Sequence, residues 1–478
     1  MLKKSLIFSL LQNYGTTCIY LFSSIIIARL LTPEEIGLFS LSASLLAIGH
    51  ALRDFGISNY IVQEKDLNSQ KISVSIMLAC IFSWTISIFI VISAPFLSIF
   101  YKDRNVQIIL YWMAVNFFLL PFSSVSMAVL RRELLFDKLC YINIVAALLQ
   151  TFVSIYLAYK GFSFYSLVYG TIANTVTTVL LSIYFSSIKP FFRGLRSEIK
   201  NVIIKCGGLS LSSIFYEIGT SYPEMAIGKL MNFSAVAYFS KALSVLQLID
   251  KIVLNSLRPV LLPVYSSIIR NGGLANEMIV QIVDKTLIVT WPMLTLIGFH
   301  SKFIIGFLFG DQWANAALIV PVLCYAMAVK NIGSIISPVI VASGKIKIMV
   351  NYQFQVQIIK IILVTIFAFQ GLWLLCLSIV LSEIVGLILL FVQIERISRN
   401  ISLPLLKVVG KNLAISAFFY SLAVLNELYA LFDNKAYNFV FCSFIFSIVW
   451  ILAASLMEHP VIMIPIELFK KYKFNLKI

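Results

Sequence analysis

A succession of long apolar segments runs through this chain and constrains its fold more than any other feature. A helix needs about 20 mostly apolar residues to cross the hydrocarbon core of a bilayer. The 478 residues contain fourteen segments near that length, so we predict an all-α integral membrane protein with about 14 transmembrane helices. The predicted spans cover residues 5–28, 35–52, 72–97, 106–128, 139–159, 163–187, 203–222, 235–264, 283–307, 315–340, 349–369, 372–393, 408–428 and 438–458.

The composition agrees with this pattern and excludes several classes of protein. Apolar residues make up 60% of the chain and charged residues 12%, whereas soluble domains carry about 25% charged residues. A soluble enzyme, a disordered scaffold and a nucleic-acid-binding domain are therefore excluded. The seven cysteines lie in apolar runs without a CxxC pair, so we interpret them as buried small side chains and predict no metal site.

The loops and motifs argue for a transporter and against an enzyme. No loop between predicted spans exceeds about 20 residues, which leaves no room for an extramembrane catalytic domain of ordinary size. The sequence contains no Walker loop, GxSxG or HExxH motif. We therefore predict a transporter without a cofactor.

The basic residues predict the orientation in the membrane. The net charge is +16, and Lys and Arg accumulate in cytoplasmic loops of membrane proteins. With fourteen spans both termini lie on one side, and that side holds 22 basic residues against seven on the other. We predict a multi-pass protein of the bacterial inner membrane with both termini in the cytoplasm and no nucleic-acid partner.

The loop pattern divides the chain into two lobes and a trailing segment. The longest polar stretch separates six spans from eight. We predict an N-terminal lobe at 1–188, a cytoplasmic linker at 189–202, a C-terminal lobe at 203–395, and two further helices with a cytoplasmic tail at 396–478.

Ionisable residues at membrane depth are costly and mark function by default, and here they fall in the later spans. In the eighth predicted span, residues that share an arc of about 60° on an α-helix form a polar, cationic stripe. The stripe consists of Ser240, Ser244, Lys251, Asn255 and Arg258. It favours a cationic cavity wall that binds an anionic ligand. The alternative is internal ion pairing, because Glu217 matches Lys251 in depth.

The other charges inside predicted spans allow both structural and functional interpretations. Lys360 and Glu383 match in depth on consecutive spans, which favours a structural pair. Lys330, beside Asn331, is a second candidate for the cavity. Three acidic residues are candidates for proton or sodium coupling or for neutralising lysines: Glu217, Asp250 and Glu383.

Seven motifs in collinear order resemble one family of transporters. They are ARLLTPEEIG at 28–37, RDFGISNYIVQEKDL at 53–67, RRELLFDK at 131–138, GFSFYSLVYG at 161–170, AIGKLMNFSAVAYFSKAL at 226–243, RPVLLPV at 258–264 and FLFGDQW at 307–313. The chain resembles Wzx-like oligosaccharide flippases, which are polysaccharide exporters of the multidrug/oligosaccharidyl-lipid/polysaccharide superfamily. Within that family it is most similar to colanic-acid, teichuronic-acid and succinoglycan exporters.

The resemblance implies a fold, a substrate and a set of basic residues. It implies two six-helix lobes around a central cavity, plus two C-terminal helices. The implied substrate is an undecaprenyl-diphosphate-linked oligosaccharide, moved from the cytoplasmic to the periplasmic leaflet by alternating access for O-antigen, capsule or exopolysaccharide synthesis. Membrane lipid, a polysaccharide polymerase and a chain-length regulator are the implied partners. The positions that match basic residues of the family are Arg29, Arg53, Lys241 and Arg258.

Three other functions stay open at this point. A drug or cation antiporter of the same superfamily would favour acidic residues in the first lobe, where the interiors of the predicted spans have none. A lipid II flippase is a second alternative. A membrane glycosyltransferase or polymerase is a third, and it would need a larger extramembrane loop than this chain has.

Overall fold

The computed structural model describes residues 2–429, apart from 55, 65, 187–195, 271–275 and 399. This part of the chain is helical and contains no strand. The α-helices are α1 Leu2–Leu30, α2 Pro33–Asp54, α3 Ile57–Gln63, α4 Ser69–Tyr101, α5 Arg104–Arg132, α6 Phe136–Tyr159, α7 Tyr165–Ser186, α8 Arg196–Leu230, α9 Phe233–Ile249, α10 Asn255–Arg270, α11 Asn276–Phe299, α12 Ser301–Phe309, α13 Ala314–Ile336, α14 Pro338–Ala342, α15 Ile346–Ala368, α16 Leu372–Glu395 and α17 Ser402–Tyr429.

The predicted all-α membrane fold is confirmed. Eleven helices among the described residues are long and apolar enough to cross a bilayer. The first thirteen predicted spans each fall on one of the described helices or on a short series of them, and the span predicted at 438–458 lies outside the described residues. The eighth predicted span is divided, because the π turn Asp250–Leu254 separates α9 from α10.

Local sequence explains where α2 begins and why it follows α1 so closely. The Thr32 amide and hydroxyl both donate to Glu35 Oε2, at 2.7 and 2.9 Å, and the Glu35 amide donates to Thr32 Oγ1 at 3.4 Å. This is a capping box, with Pro33 at the first helical position. The cap satisfies free amides at the start of α2. Because of this, α2 can begin with only two residues between it and the end of α1, and a tight turn joins the two helices.

A proline inside α5 is accommodated by polar side chains of α4. Pro121 has no amide hydrogen, so the carbonyl of Phe117, four residues earlier, loses its helical partner. Ser83 of α4 donates to that carbonyl, and Trp84 Nε1 donates to the next carbonyl, Phe118 O, at 3.1 Å. The two longest antiparallel neighbours of the first half are thus tied together at the proline.

The helices group into two compact units. The first comprises Met1–Lys241 and Gln353–Leu375, and the second comprises Ala242–Tyr352 and Cys376–Ile478. The lobes at 1–188 and 203–395 are a division by sequence and stay a prediction, and the predicted linker at 189–202 lies partly outside the described residues. In the second unit α11 packs against both α13 and α17.

Candidate functional site

A polar recess lies in the first unit, where α2 ends beside α3, α4 and α5. Its cavity volume is about 10 Å³, which is room for one water-sized group, and its polar lining includes Arg53, Asp54, Ser58 and Ser124. The Arg53 side chain is 13% exposed and its Nε donates to Asp54 Oδ1 at 3.0 Å. Its Nη1 is buried and has no hydrogen-bond partner among the described residues. The recess therefore offers an unsatisfied cationic donor.

The wall of the recess is fixed by a second arginine. Arg132, at the end of α5, donates from Nη1 to the carbonyl of Ile61 at 2.8 Å and also to the carbonyl of Glu64. These carbonyls end α3, so the guanidinium caps that helix electrostatically. Lys71 Nζ pairs with the Glu64 carboxylate at 2.7 Å. The cytoplasmic loop predicted after the second span therefore has a defined structure. It forms the side of the recess that contains Ser58.

A second polar cluster in the first unit joins α1, α2 and α9. Lys241 of α9 is 8% exposed, and its Nζ donates to Ser24 Oγ of α1 at 2.9 Å. Ser40 Oγ of α2 donates to Ser240 Oγ of α9 at 3.2 Å. The structure therefore places the predicted basic residue Lys241 inside the protein, where its ammonium group is bonded to a hydroxyl of α1.

In the second unit the π turn brings Asp250 to α13. Asn331 is fully buried, and its amide nitrogen donates to Asp250 Oδ1 at 3.1 Å and to Met327 O at 3.2 Å in the orientation that satisfies both. Lys251 is exposed and Lys330 is partly buried. A π turn is often found at functional sites, and this one interrupts the α-helical spacing from which the cationic stripe was predicted.

The remaining predicted site residues are dispersed or lie outside the described side chains. Arg29 is exposed at the end of α1. Glu217 accepts a hydrogen bond from Ser221 Oγ at 3.4 Å. Lys360 belongs to the first unit and Glu383 to the second, so their pairing stays a prediction. The side chains of Asn255 and Arg258 lie outside the described part of the structure.

Two acidic residues inside helices were not predicted as candidate site residues from the sequence. Glu224 was not considered because the seventh span was predicted to end before Pro223, whereas α8 continues to Leu230. Asp284 of α11 accepts from Asn412 Nδ2 at 2.9 Å and lies 3.4 Å from Lys411 Nζ, both on α17. The sequence did contain an indication of the Asp284 contact. Lys411 and Asn412 lie about as far from the start of their predicted span as Asp284 lies from the start of its own.

Comparisons with known proteins agree on one family and one fold. A family model described as polysaccharide biosynthesis protein matches residues 26–318. The lipopolysaccharide biosynthesis protein WzxC of Escherichia coli (strain K12) is 20% identical over 335 residues, which cover 69% of this chain and 67% of that protein. An uncharacterized membrane protein in the cps region of Klebsiella pneumoniae is 22% identical over 381 residues, covering 77% of this chain and 76% of that protein.

Two solved structures share the fold. The lipid II flippase MurJ in an inward closed conformation superposes with a TM-score of 0.76 at 16% identity, covering 96% of this chain and 100% of that one. An inward-facing multidrug resistance transporter of the MATE family superposes with a TM-score of 0.63 at 16% identity, covering 84% and 96%. At such identities the similarity establishes the helical fold alone.

Proposed function

Because the chain belongs to the polysaccharide biosynthesis protein family, we propose that it is a flippase for lipid-linked oligosaccharide repeat units. The similarity to Wzx-like exporters that the motifs predicted is confirmed. The chain is a multi-pass membrane transporter and not an enzyme. The proposed substrate is an undecaprenyl-diphosphate-linked glycan, which crosses from the cytoplasmic to the periplasmic leaflet by alternating access during surface polysaccharide synthesis.

The unsatisfied guanidinium nitrogen of Arg53 is the observation that carries this proposal. A buried donor without a partner costs free energy, and a phosphate oxygen is a strong partner for it. Asp54 holds two other nitrogens of the same guanidinium, which directs the remaining donor into the recess. Ser58 and Ser124 line the same space and supply hydroxyl donors for further phosphate oxygens.

The location of the recess fits loading from the cytoplasm. It lies where α2 ends and α3 begins, in the segment that the charge pattern assigns to the cytoplasmic face. A diphosphate headgroup lies at the membrane surface while its polyprenyl chain stays in the bilayer. The recess is therefore positioned to contact a phosphate oxygen of the diphosphate at the membrane surface before the glycan moves, with a polymerase and a chain-length regulator acting after release.

The first test is the variant Arg53→Ala in a strain that lacks the chromosomal gene. We expect a tenfold or greater loss of surface polysaccharide, because one charge-assisted contact to phosphate contributes about 1.5–3 kcal/mol, and lipid-linked repeat units should accumulate in the cytoplasmic leaflet. The measurement is the amount of surface polysaccharide together with the labelling of lipid-linked glycan in sealed spheroplasts.

Arg131→Ala is the matched control for this experiment. Arg131 also lies at the cytoplasmic end of the predicted orientation, near the end of α5, but it is exposed and does not line the recess. We expect normal export from this variant. Equal export from Arg53→Ala and wild type, at equal membrane abundance, would show that the recess does not receive the substrate.

Two alternatives remain as competing functions, because the fold is shared with MurJ and with a MATE transporter. A lipid II flippase would restore growth of cells depleted of their own lipid II flippase. A drug antiporter would raise resistance to cationic dyes. We expect neither result, since the family match is to polysaccharide biosynthesis proteins.

A further inference from the structure

The first helix, α1, carries an uncharged polar stripe along the part that can cross the membrane. On an α-helix, with about 100° per residue, its members share an arc of about 80° and extend over about 22 Å of the helix axis. They are Ser9, Asn13, Thr17, Tyr20 and Ser24, called the α1 stripe below. Between residues 9 and 24 no apolar residue falls in this arc, and residues 5–28 include no Asp, Glu, Lys or Arg.

The other half of α1 is apolar and is already occupied by lipid-facing side chains and by α6. Ile7, Leu11 and Phe22 are exposed and lie roughly opposite the α1 stripe around the helix. α6 packs on the same half, where a methyl group on Gly15 would lie 3.5 Å from Ile144 Cδ1. The α1 stripe therefore faces away from the lipid side and from α6.

Two residues of the α1 stripe are open at membrane depth. Asn13 is exposed and Tyr20 is 37% exposed. They lie about 9 Å and about 20 Å along the helix from Ile7, where the segment able to span the bilayer begins. Polar side chains at such depths face the interior of the protein or a water-filled cavity. The α1 stripe therefore borders a polar space of the first unit.

Hydrogen bonds to other helices fix the upper part of the stripe and leave donors for a ligand. Asn174 Nδ2 of α7 donates to the Tyr20 hydroxyl at 3.2 Å, and Lys241 Nζ donates to Ser24 Oγ at 2.9 Å. Because the Tyr20 hydroxyl accepts from Asn174, its own hydrogen can donate to a ligand. Thr17 donates to the backbone carbonyl of Asn13 at 2.7 Å, so the Asn13 carboxamide and the Tyr20 phenol are the recognition groups.

These two groups suit a neutral ligand that is rich in hydroxyls. A phosphate or a divalent metal ion is bound in proteins mainly by charged side chains, and the α1 stripe contains none. A carboxamide and a phenol each donate and accept hydrogen bonds, as a sugar hydroxyl does. The partly exposed ring of Tyr20 also offers apolar surface to the C–H face of a sugar ring.

We propose that Asn13 and Tyr20 bind neutral sugar residues of the transported glycan. This inference rests on the proposed flippase function and adds a site for the sugars to the Arg53 recess. Both sites belong to the first unit. In the predicted orientation Asn13 lies towards the cytoplasmic end of α1, and Arg53 lies at the cytoplasmic end of α2. The recess contacts a phosphate oxygen, whereas the α1 stripe discriminates between glycans.

The test compares two lipids that differ in the glycan. One probe is the lipid-linked repeat unit extracted from the host strain, and the other is undecaprenyl diphosphate without sugar. The affinity of each probe is measured on the purified full-length chain in lipid nanodiscs. We expect wild type to bind the probe with the glycan about tenfold more tightly, because two neutral hydrogen bonds to sugar hydroxyls are added.

Tyr20→Phe and Asn13→Ala should each weaken binding of the probe with the glycan by about two- to tenfold, the contribution of one neutral hydrogen bond. Neither change should alter the affinity for undecaprenyl diphosphate. Tyr14→Phe is the matched control, since it also removes an exposed phenol hydroxyl from α1 but lies about 120° from Tyr20 around the helix. Both affinities should stay at the wild-type value in this control, and Arg53→Ala should weaken both probes by the same factor.

A labelling experiment tests without any glycan whether the α1 stripe faces water. Thr17→Cys, in a chain whose native cysteines are replaced, is compared with a chain that keeps only Cys18. Cys18 is exposed at almost the same depth but lies on the apolar half of α1. Because a thiol reacts as its thiolate, which forms in water, a water-soluble maleimide should label Thr17→Cys about tenfold faster than Cys18.

Three results would overturn the sugar site. They are equal affinities of wild type for the two probes, an unchanged affinity for the glycan probe in Tyr20→Phe and Asn13→Ala, and equal labelling of Thr17→Cys and Cys18. With any of them the proposed flippase function stands, provided that Arg53→Ala weakens binding of both probes. If wild type bound neither probe, the proposed function would fail and the sugar site with it.

Discussion

Single atoms decide how closely the helices of the first unit approach each other. At Gly37 the absence of a side chain lets α2 lie against the backbone at the start of α9, and at Gly228 it admits the side chain of Leu41. In the same region Lys241 and Ser240 make hydrogen bonds to two different helices. Close approach and polar contact therefore occur together, so these helices pack in one defined register.

The variant Gly37→Ala tests how closely α2 approaches the start of α9. A methyl group 1.7 Å from a carbonyl oxygen cannot be accommodated without separating the helices, and overpacking costs about 1–3 kcal/mol. We expect faster hydrogen exchange in α2, measured by mass spectrometry, and a large loss of surface polysaccharide. Gly306→Ala is the control, since a methyl group there meets nothing within 4 Å and alanine favours the helix. Unchanged exchange in α2 of Gly37→Ala would contradict the described contact.

The basic residues of the candidate site could be predicted from the sequence, whereas the side chains that they contact could not. Lys241 and Arg53 were identified from motifs, and the structure finds both largely buried. Glu224 was missed because Pro223 was taken as the end of a span, although a proline in a membrane helix is tolerated when neighbouring groups satisfy the freed carbonyl. Which carboxyl meets which serine depends on helix packing, and a single sequence does not contain that information.

At the scale of elements, hydropathy predicted the helices and packing determined their interruptions. Each described helix long enough to span a bilayer falls on a predicted segment. The π turn Asp250–Leu254 was not predicted, because α-helical spacing was assumed along the whole eighth span; Asp250 at the start of the turn contacts Asn331 of α13. The extension of α4 to 33 residues was also not predicted, since its ends carry polar residues outside the apolar core of the segment.

The pairing of α17 with α11 gives a prediction for an element. Asp284 accepts from Asn412 and lies near Lys411, and an apolar cluster, in which Phe419 packs with Phe299 and Leu296, follows towards the other end of α17. Asp284→Ala leaves the Asn412 amide without that partner and should cost about 1–3 kcal/mol. We expect faster hydrogen exchange in α17, measured by mass spectrometry.

The control for this variant lies on α17 itself. Lys407→Ala removes an exposed lysine one turn before Lys411 and should leave exchange unchanged. If exchange in α17 is the same in Asp284→Ala and wild type, the polar contact does not stabilise this helix against α11, and the apolar cluster stabilises it instead.

At the scale of the whole molecule, the distribution of basic residues gives an orientation that can be measured. With cytoplasmic termini, a reporter fused after residue 189 should be cytoplasmic and one fused after residue 161 should be periplasmic. Alkaline phosphatase, which is active in the periplasm, should therefore be active in the second fusion and inactive in the first. The reverse pattern would place the Arg53 recess on the wrong face for cytoplasmic loading and would contradict the proposed direction of transport.

The π turn also has a consequence for comparing this chain with its relatives. A π turn accommodates one more residue than the α-helical turn that it replaces, so each residue after it is displaced by one position relative to Ser244 and the earlier part of α9. A relative with an uninterrupted helix should therefore align with a one-residue gap between 250 and 254. An alignment without this gap would assign Asn255 and Arg258 to the wrong helix face in every such relative.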